Sequence, residues 1–306
     1  MNAKLSSSGM VLKELPEVAL QKISSNYYWA VFAVFLLCAI VFPLVSIFSL
    51  PQKQTYHRFF SILSLVSCLA YFTMACNYGL KNVFSSASFF REVSVRMVYY
   101  VRYIQWLINF PLIIVMLHWT VGVSILEIAY VVCYVLFAIV CLLAAALTSS
   151  PYKWAYYGFS FVGYFIALAH SVVLHKKYAS RLETSARLGF LWSIVYLHVI
   201  WFLYYACWIL SEGLNVISPI GEAIFYSILD LFEFGFFGAA FSWMLDLVGI
   251  ENFKSPQSIP LGACSPADDK FSMCPDMEAQ NQADDLAVET RIQISNLPSS
   301  PTKNNC

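Results

Sequence analysis

Charge is what this sequence has least of. Only 12% of its 306 residues are Asp, Glu, Lys or Arg, while 59% are hydrophobic. A soluble globular domain carries about 25% charged residues, so an ordinary soluble chain is excluded. The shortage is also uneven, because the stretch from Glu251 to Cys306 is polar. That stretch holds eight acids against four bases, which makes it net −4 and the rest of the chain net +4. This balance gives no reason to invoke nucleic acid. A paired cysteine framework is missing too. There are nine cysteines but no CxxC, and six of them (Cys38, Cys68, Cys76, Cys133, Cys141, Cys207) lie inside apolar runs, where Cys acts as a small hydrophobe. The closing Asn304-Asn305-Cys306 is not a prenylation box, since that cysteine must stand fourth from the end. Cys264, Cys274 and Cys306 remain as candidates for palmitoylation.

Long apolar runs are what the chain does have. A helix needs about 20 apolar residues to cross a bilayer, and seven stretches qualify: Tyr27–Leu50, His57–Leu80, Met97–Leu117, Ser124–Thr148, Tyr152–His175, Ala186–Leu210 and Pro219–Val248. The first lacks a small-residue cleavage site and is too long for a signal sequence, so it is read as a retained helix. The expected architecture is an all-α membrane protein, a seven-transmembrane-helix bundle over residues 27–248. It is flanked by an extracellular segment 1–26 and a disordered acidic cytoplasmic tail 249–306. Pro51 is expected to end the first helix. Ser211-Glu212-Gly213 and Ser218-Pro219 are expected to bracket the last loop, and Lys81–Arg96 is the one long connection. Pro111 sits inside the third helix, which a membrane helix tolerates when neighbours satisfy the freed carbonyl. Six basic residues in the odd-numbered connections against four in the even ones favour N-terminus out and C-terminus in. Ser255, Ser265 and Ser300, each followed by proline, are candidate phosphorylation sites.

Ionisable side chains within the spans are costly, and each is a functional candidate. Arg102, Gln105, Trp106 and Asn109 share one face of the third helix, and Glu222, Tyr226, Asp230, Glu233 and Phe234 cluster on the seventh. The sixth carries His198, Trp201, Tyr204, Tyr205 and Trp208, a stripe that packing alone would also explain. An Arg on one helix and an Asp on another predict a buried Arg102–Asp230 pair, either a lock on the bundle or part of a site. No nucleophile–base pair or metal-ligand spacing appears in the spans, so no enzyme and no metal are expected.

These residues resemble a known family. Arg102-Tyr103, Trp106 and Pro111-Leu112 are similar to the third helix of microbial rhodopsins, R-Y-x-D-W-x-x-T-x-P-L. Tyr71-Phe72-Thr73-Met74 and Tyr78-Gly79-Leu80 fit the second helix. Trp201, Tyr204 and Trp208 fall where the family has aromatics around retinal, and Leu229-Asp230 resembles its seventh-helix Leu-Asp. Glu212 and Glu222 resemble the paired extracellular acids of proton-pumping members. The departures are as specific. Phe234 stands at the retinal-lysine position, Gln105 at the counter-ion position and Met116 at that of the cytoplasmic proton donor. Asn109 and Phe110 occupy the two nearby Thr positions. The resemblance therefore implies no covalent retinal cofactor and a vestigial pocket of Tyr71, Arg102, Gln105, Trp106, Trp201, Tyr204, Trp208, Asp230 and Phe234.

The branch resembled is the fungal opsin-related one, which includes the thirty-kilodalton heat-shock membrane proteins of yeasts. It implies a non-photoactive plasma-membrane protein with a stress-associated, chaperone-like or membrane-protecting role. Its partners would be the lipid bilayer, a membrane protein of unknown identity and a second copy of the chain. Two alternatives stay open. One is a passive proton or ion pathway through Arg102, Glu212, Glu222 and Asp230. The other is non-covalent binding of a retinoid or other apolar ligand within the aromatic box. A G-protein-coupled receptor is disfavoured, because the third helix does not end in Asp/Glu-Arg-Tyr and the seventh lacks Asn-Pro-x-x-Tyr.

Overall fold

The computed structural model describes residues 3–85, 94–249 and 252–253 of the chain. The tail from Lys254 onward, with its candidate modification sites at Ser255, Cys264, Ser265, Cys274, Ser300 and Cys306, lies outside the described residues. Seven helical stretches are long and apolar enough to cross a membrane: Ser25–Phe48, Pro51–Ala75, Tyr100–Thr120, Ile125–Leu147, Lys153–Tyr178, Thr184–Gly213 and Pro219–Val248. The protein is a multi-pass membrane protein. The first span is the end of α1, Ala3–Phe48. It is followed by α2 (Pro51–Ala75), α3 (Tyr100–Thr120), α4 (Ile125–Leu147), α5 (Lys153–Tyr178) and α6 (Thr184–Trp208). The seventh span is α7 (Pro219–Asp230) continued by α8 (Phe237–Val248).

Several boundaries differ from the sequence reading, each for a local reason. Pro51 does not end the first helix but opens α2, at the position where its missing N–H leaves nothing unsatisfied. The second span stops at Ala75, not Leu80, because Asn77 (φ 58°) and Gly79 (φ 69°) take left-handed conformations. The connection Lys81–Arg96 has structure of its own: β1 (Leu80–Ser85) and β2 (Ser94–Tyr99) pair antiparallel, Leu80 opposite Tyr99 and Ser85 opposite Ser94. The bundle thus carries a short β-hairpin, and its second strand delays the start of α3 to Tyr100. Ser211-Glu212-Gly213 is not loop but the last turn of the sixth span, wound as a π turn over Ile209–Gly213.

A second π turn, Leu231–Phe236, joins α7 to α8. Such turns interrupt the regular ladder and often mark functional positions. Here the Tyr196 hydroxyl donates to the Phe232 carbonyl at 2.9 Å. Without a hydrophobic drive between helices in lipid, close packing and interhelical hydrogen bonds must hold the bundle. Gly163 supplies the first: a Cβ there would lie 2.9 Å from the Phe137 ring, so α5 approaches α4 closely only as glycine. Ser160 supplies the second, donating to Ala138 O at 2.6 Å. The α4–α5 and α6–α7 connections lie at the same end as the hairpin, where Lys153 meets Glu212 and Arg96 meets Asn215. At the other end Lys53 of α2 pairs with Asp246 of α8, and Glu127 of α4 with His170 and Lys177 of α5.

Candidate functional site

Two polar clusters lie in the bundle, about two turns apart along the seventh span. The deeper one is built on Asp230, which is fully buried. Tyr71 of α2 donates to its Oδ2 at 2.7 Å, and Tyr204 of α6 to its Oδ1 at 2.5 Å. From α3, Trp106 Nε1 donates to Oδ1 at 3.1 Å and Gln105 Nε2 to Oδ2 at 3.4 Å. Four neutral donors from three helices thus surround one carboxyl. Gln105 also donates to Ser67 Oγ at 3.2 Å, and Asn109, one turn along α3, donates to the same oxygen at 2.9 Å. Together they tie α3 to α2.

The cluster nearer the hairpin is built on Glu222 and Glu212. Arg102 Nη1 donates to Glu222 Oε1 at 3.2 Å, and its Nη2 to the Tyr28 hydroxyl at 3.2 Å. Arg96 of β2 donates to the other oxygen of Glu222, from Nε at 3.2 Å and from Nη2, and to Asn215 Oδ1 at 2.6 Å. Glu212 makes no direct contact with Glu222. It accepts from Tyr103 at 3.1 Å, from Tyr226 at 3.1 Å and from Ser211. Tyr226 separates the two acids, with the Arg102 guanidinium 4.3 Å from its ring centre.

The expected Arg102–Asp230 pair does not form. Arg102 lies in the first turn of α3, level with Glu222. Asp230 stands eight residues further along α7, about 12 Å at 1.5 Å per residue. The α3 residues one turn deeper, Gln105 and Trp106, are the ones that reach it. Buried arginine and buried aspartate are therefore not each other's counter-charge. Trp208 also departs from the expected box. It stacks on Tyr157 of α5, ring centres 4.8 Å apart, with Trp154 edge-on. Seven residues from Trp201 the helix has drifted by about 20° and climbed to the start of α5.

The other expected pocket residues do converge. Trp106 and Tyr204 are 4.9 Å apart, Trp106 and Tyr226 5.4 Å, and Phe110 and Trp201 4.9 Å. Tyr226 lies one turn from both Glu222 and Asp230. The Trp106–Tyr204–Tyr226 group therefore fills the space between the two clusters, across the proposed route from Arg102, Glu212 and Glu222 to Asp230. Phe234 is fully buried, 5.5 Å from Phe110. Its neighbour Glu233, also fully buried, accepts from Trp201 Nε1 at 2.7 Å and keeps one oxygen without a partner. A cavity of about 30 Å³ remains between α3, α4, α5 and α6, walled by Trp106, Phe110, Tyr164, Trp201, Tyr204 and Tyr205 among others. One water needs about 10–15 Å³ by this measure, so there is room for two.

Sequence reasoning missed the parts played by Arg96, Tyr103, Ser67 and Lys153. Tyr103 enters the sequence reading only within the Arg102-Tyr103 motif. Nothing in the spacing marks the other three, which act from a strand (Arg96), a neighbouring helix (Ser67) and the first turn of α5 (Lys153), whose positions only the fold sets.

With this geometry in place, comparison with known proteins is specific. A family model for bacteriorhodopsin-like proteins matches residues 22–245, and the chain belongs to that family. It is 32% identical over 227 residues to the opsin-like protein carO of Fusarium fujikuroi, covering 72% of each chain. It is 31% identical over 246 residues to the 30 kDa heat shock protein of Saccharomyces cerevisiae, again covering 72% of each. Among solved structures, the light-driven proton pump of Leptosphaeria maculans superposes with a TM-score of 0.69 at 27% identity, over 76% of this chain and 97% of the pump. The chain is an opsin-related membrane protein of microbial rhodopsin fold. A retinal pigment of this family needs an amine on the seventh span, and Pro219–Val248 contains no lysine. The space beside Phe234 is filled by aromatic rings. The residues present do not fit a covalently held retinal.

Proposed function

We propose that this is a non-photoactive opsin-related protein of the plasma membrane that acts in stress through a membrane-protein partner, with a chaperone-like or membrane-protecting role. It is neither an enzyme nor a pigment, and binds no covalent cofactor. The observation that carries this reading is Phe234. The resemblance puts the pigment's lysine there, and the ring is packed on Phe110 one turn from an Asp230 already satisfied by four neutral donors. Likeness to a heat shock protein supports the stress association. The chain's orientation, N-terminus outside, rests on the basic residues of the connections. Aromatic filling between Glu222 and Asp230 favours this reading over a passive proton path, and a cavity for two waters favours it over a retinoid site.

The test is an absorption spectrum of purified protein incubated with all-trans retinal, followed by borohydride. No visible band is expected. A band that borohydride bleaches reports an imine on another lysine and overturns the non-photochemical reading. For the stress role, cells lacking the gene should lose heat tolerance and regain it equally in darkness and light when the gene is returned. Unaltered tolerance in the deletion strain overturns that part.

A further inference from the structure

Among the described residues, the buried and half-buried ionisable groups at the hairpin end carry more positive than negative charge. Arg96, Arg102 and Lys153 stand against Glu212 and Glu222. Even with both carboxylates ionised, these three cations against two anions leave one positive charge in the interior, apart from the exposed Lys81 of β1. Any proton on either glutamate enlarges the excess. Both arginines are committed to Glu222. Lys153 is the unmatched one: its Nζ donates to two carbonyls, Glu212 O at 3.1 Å and Gly213 O at 2.6 Å, and no carboxylate pairs with it among the described residues.

Beside Lys153 is a small cavity of about 10 Å³, lined by Arg96, Thr148, Ser149, Lys153 and Glu212 and by the apolar Val83, Val98 and Ala146. That volume is close to one water-sized occupant. Arg96 is 8% exposed, so a buried guanidinium forms one wall. The Glu212 carboxylate is engaged elsewhere, by Tyr103, Tyr226 and Ser211. Lys153 has three N–H donors, of which two are used, and Ser149, which also lines the cavity, is exposed. The cavity also adjoins the N-terminal turn of the long helix α5, whose dipole favours negative charge.

We propose that this cavity is a binding site for one small monovalent inorganic anion of chloride size, held between Lys153 and Arg96. A space close to the size of one water suits a halide better than a larger oxyanion. The site is at the hairpin end, on the far side of Tyr103 and Glu212 from Asp230, and does not depend on whether the protein forms a pigment. An occupant there neutralises the excess charge and joins three elements: β2 through Arg96, α5 through Lys153, and the sixth span through the carbonyls that Lys153 holds. Bound anion should therefore stabilise the folded chain.

The experiment is thermal unfolding of the full-length detergent-purified protein at constant ionic strength, with sodium chloride or bromide exchanged for sodium gluconate. The expected result is a saturable rise in Tm of several degrees with chloride and bromide and none with gluconate. Lys153→Gln should abolish the halide response, and Lys153→Arg should retain it. Equal Tm in chloride and gluconate overturns the proposal, as does a full halide response in Lys153→Gln. If Lys153→Gln does not fold, crystals of the unaltered chain grown in bromide decide. An anomalous peak between Lys153 and Arg96 supports the site, and its absence overturns it.

Discussion

Arg102 and Glu222 meet at 3.2 Å in a buried ion pair, and Arg96 closes on the other oxygen of the same carboxylate. Two guanidinium groups depend on one acid. Removing a partner from a buried pair leaves an uncompensated charge, at a cost of roughly 3–5 kcal/mol. Glu222→Gln strands two cations at once and should fall at or above the top of that range. Denaturation of the purified variant against the unaltered protein measures it. A Glu222→Gln protein as stable as the parent would show that the pair contributes nothing.

Asp230 is in the opposite situation, because every donor that reaches it is neutral. Asp230→Asn removes no ion pair. It turns an amide NH2 towards two donors, which costs about 1–3 kcal/mol for the groups left unsatisfied. The expected order is therefore Glu222→Gln more damaging than Asp230→Asn, measured by the same unfolding assay. The reverse order would mean that Asp230 is ion-paired after all.

These two acids also show what the sequence could and could not yield. The seven spans were readable because hydropathy over about 20 residues is nearly sufficient to place a membrane helix. The gathering of Tyr71, Gln105, Trp106, Tyr204 and Asp230 was readable because 3.6-residue spacing puts each on an inward face. Pairing was not readable. Arg102 had several acids to choose from, and only the relative height of α3 and α7 decides between Glu222 and Asp230. The hairpin was hidden for a different reason. Met97, Val98 and Tyr99 are as apolar as the third span, so hydropathy merges the end of β2 with the helix, while the rest of the hairpin lies in a connection whose pairing hydropathy does not show. The left-handed Asn77 and Gly79 are where the second span and the hairpin part.

Phe234 fills space in the middle of the bundle. Its ring is fully buried against Phe110, which stacks in turn on Trp201. Phe234→Ala should destabilise the bundle by about 3–5 kcal/mol, the range for deleting a buried aromatic ring. The void would lie behind Phe110, which also walls the cavity of about 30 Å³, and the variant should gain affinity for a ring-sized apolar molecule. Benzene should raise the Tm of Phe234→Ala and leave the parent unchanged. A benzene response of equal size in both would place the binding somewhere other than this void.

Gly79 offers a sharper comparison, because its demand is stereochemical. It has φ 69°, and a Cβ there would lie 2.8 Å from Val101 Cβ. Its carbonyl accepts from Val101 N at 3.2 Å, which fixes the approach of hairpin to α3. Gly79→Ala therefore combines a left-handed backbone with a steric clash, and should cost about 1–3 kcal/mol. Gly235 is the control. It lies in the π turn of the seventh span, and a Cβ there would meet nothing within 4 Å. Gly235→Ala should stay within about 0.5 kcal/mol of the parent. If the two alanine variants unfold alike, the close contact between Gly79 and Val101 does not constrain the hairpin. If only Gly79→Ala is destabilised, the turn that ends the second span early is held in place by that glycine.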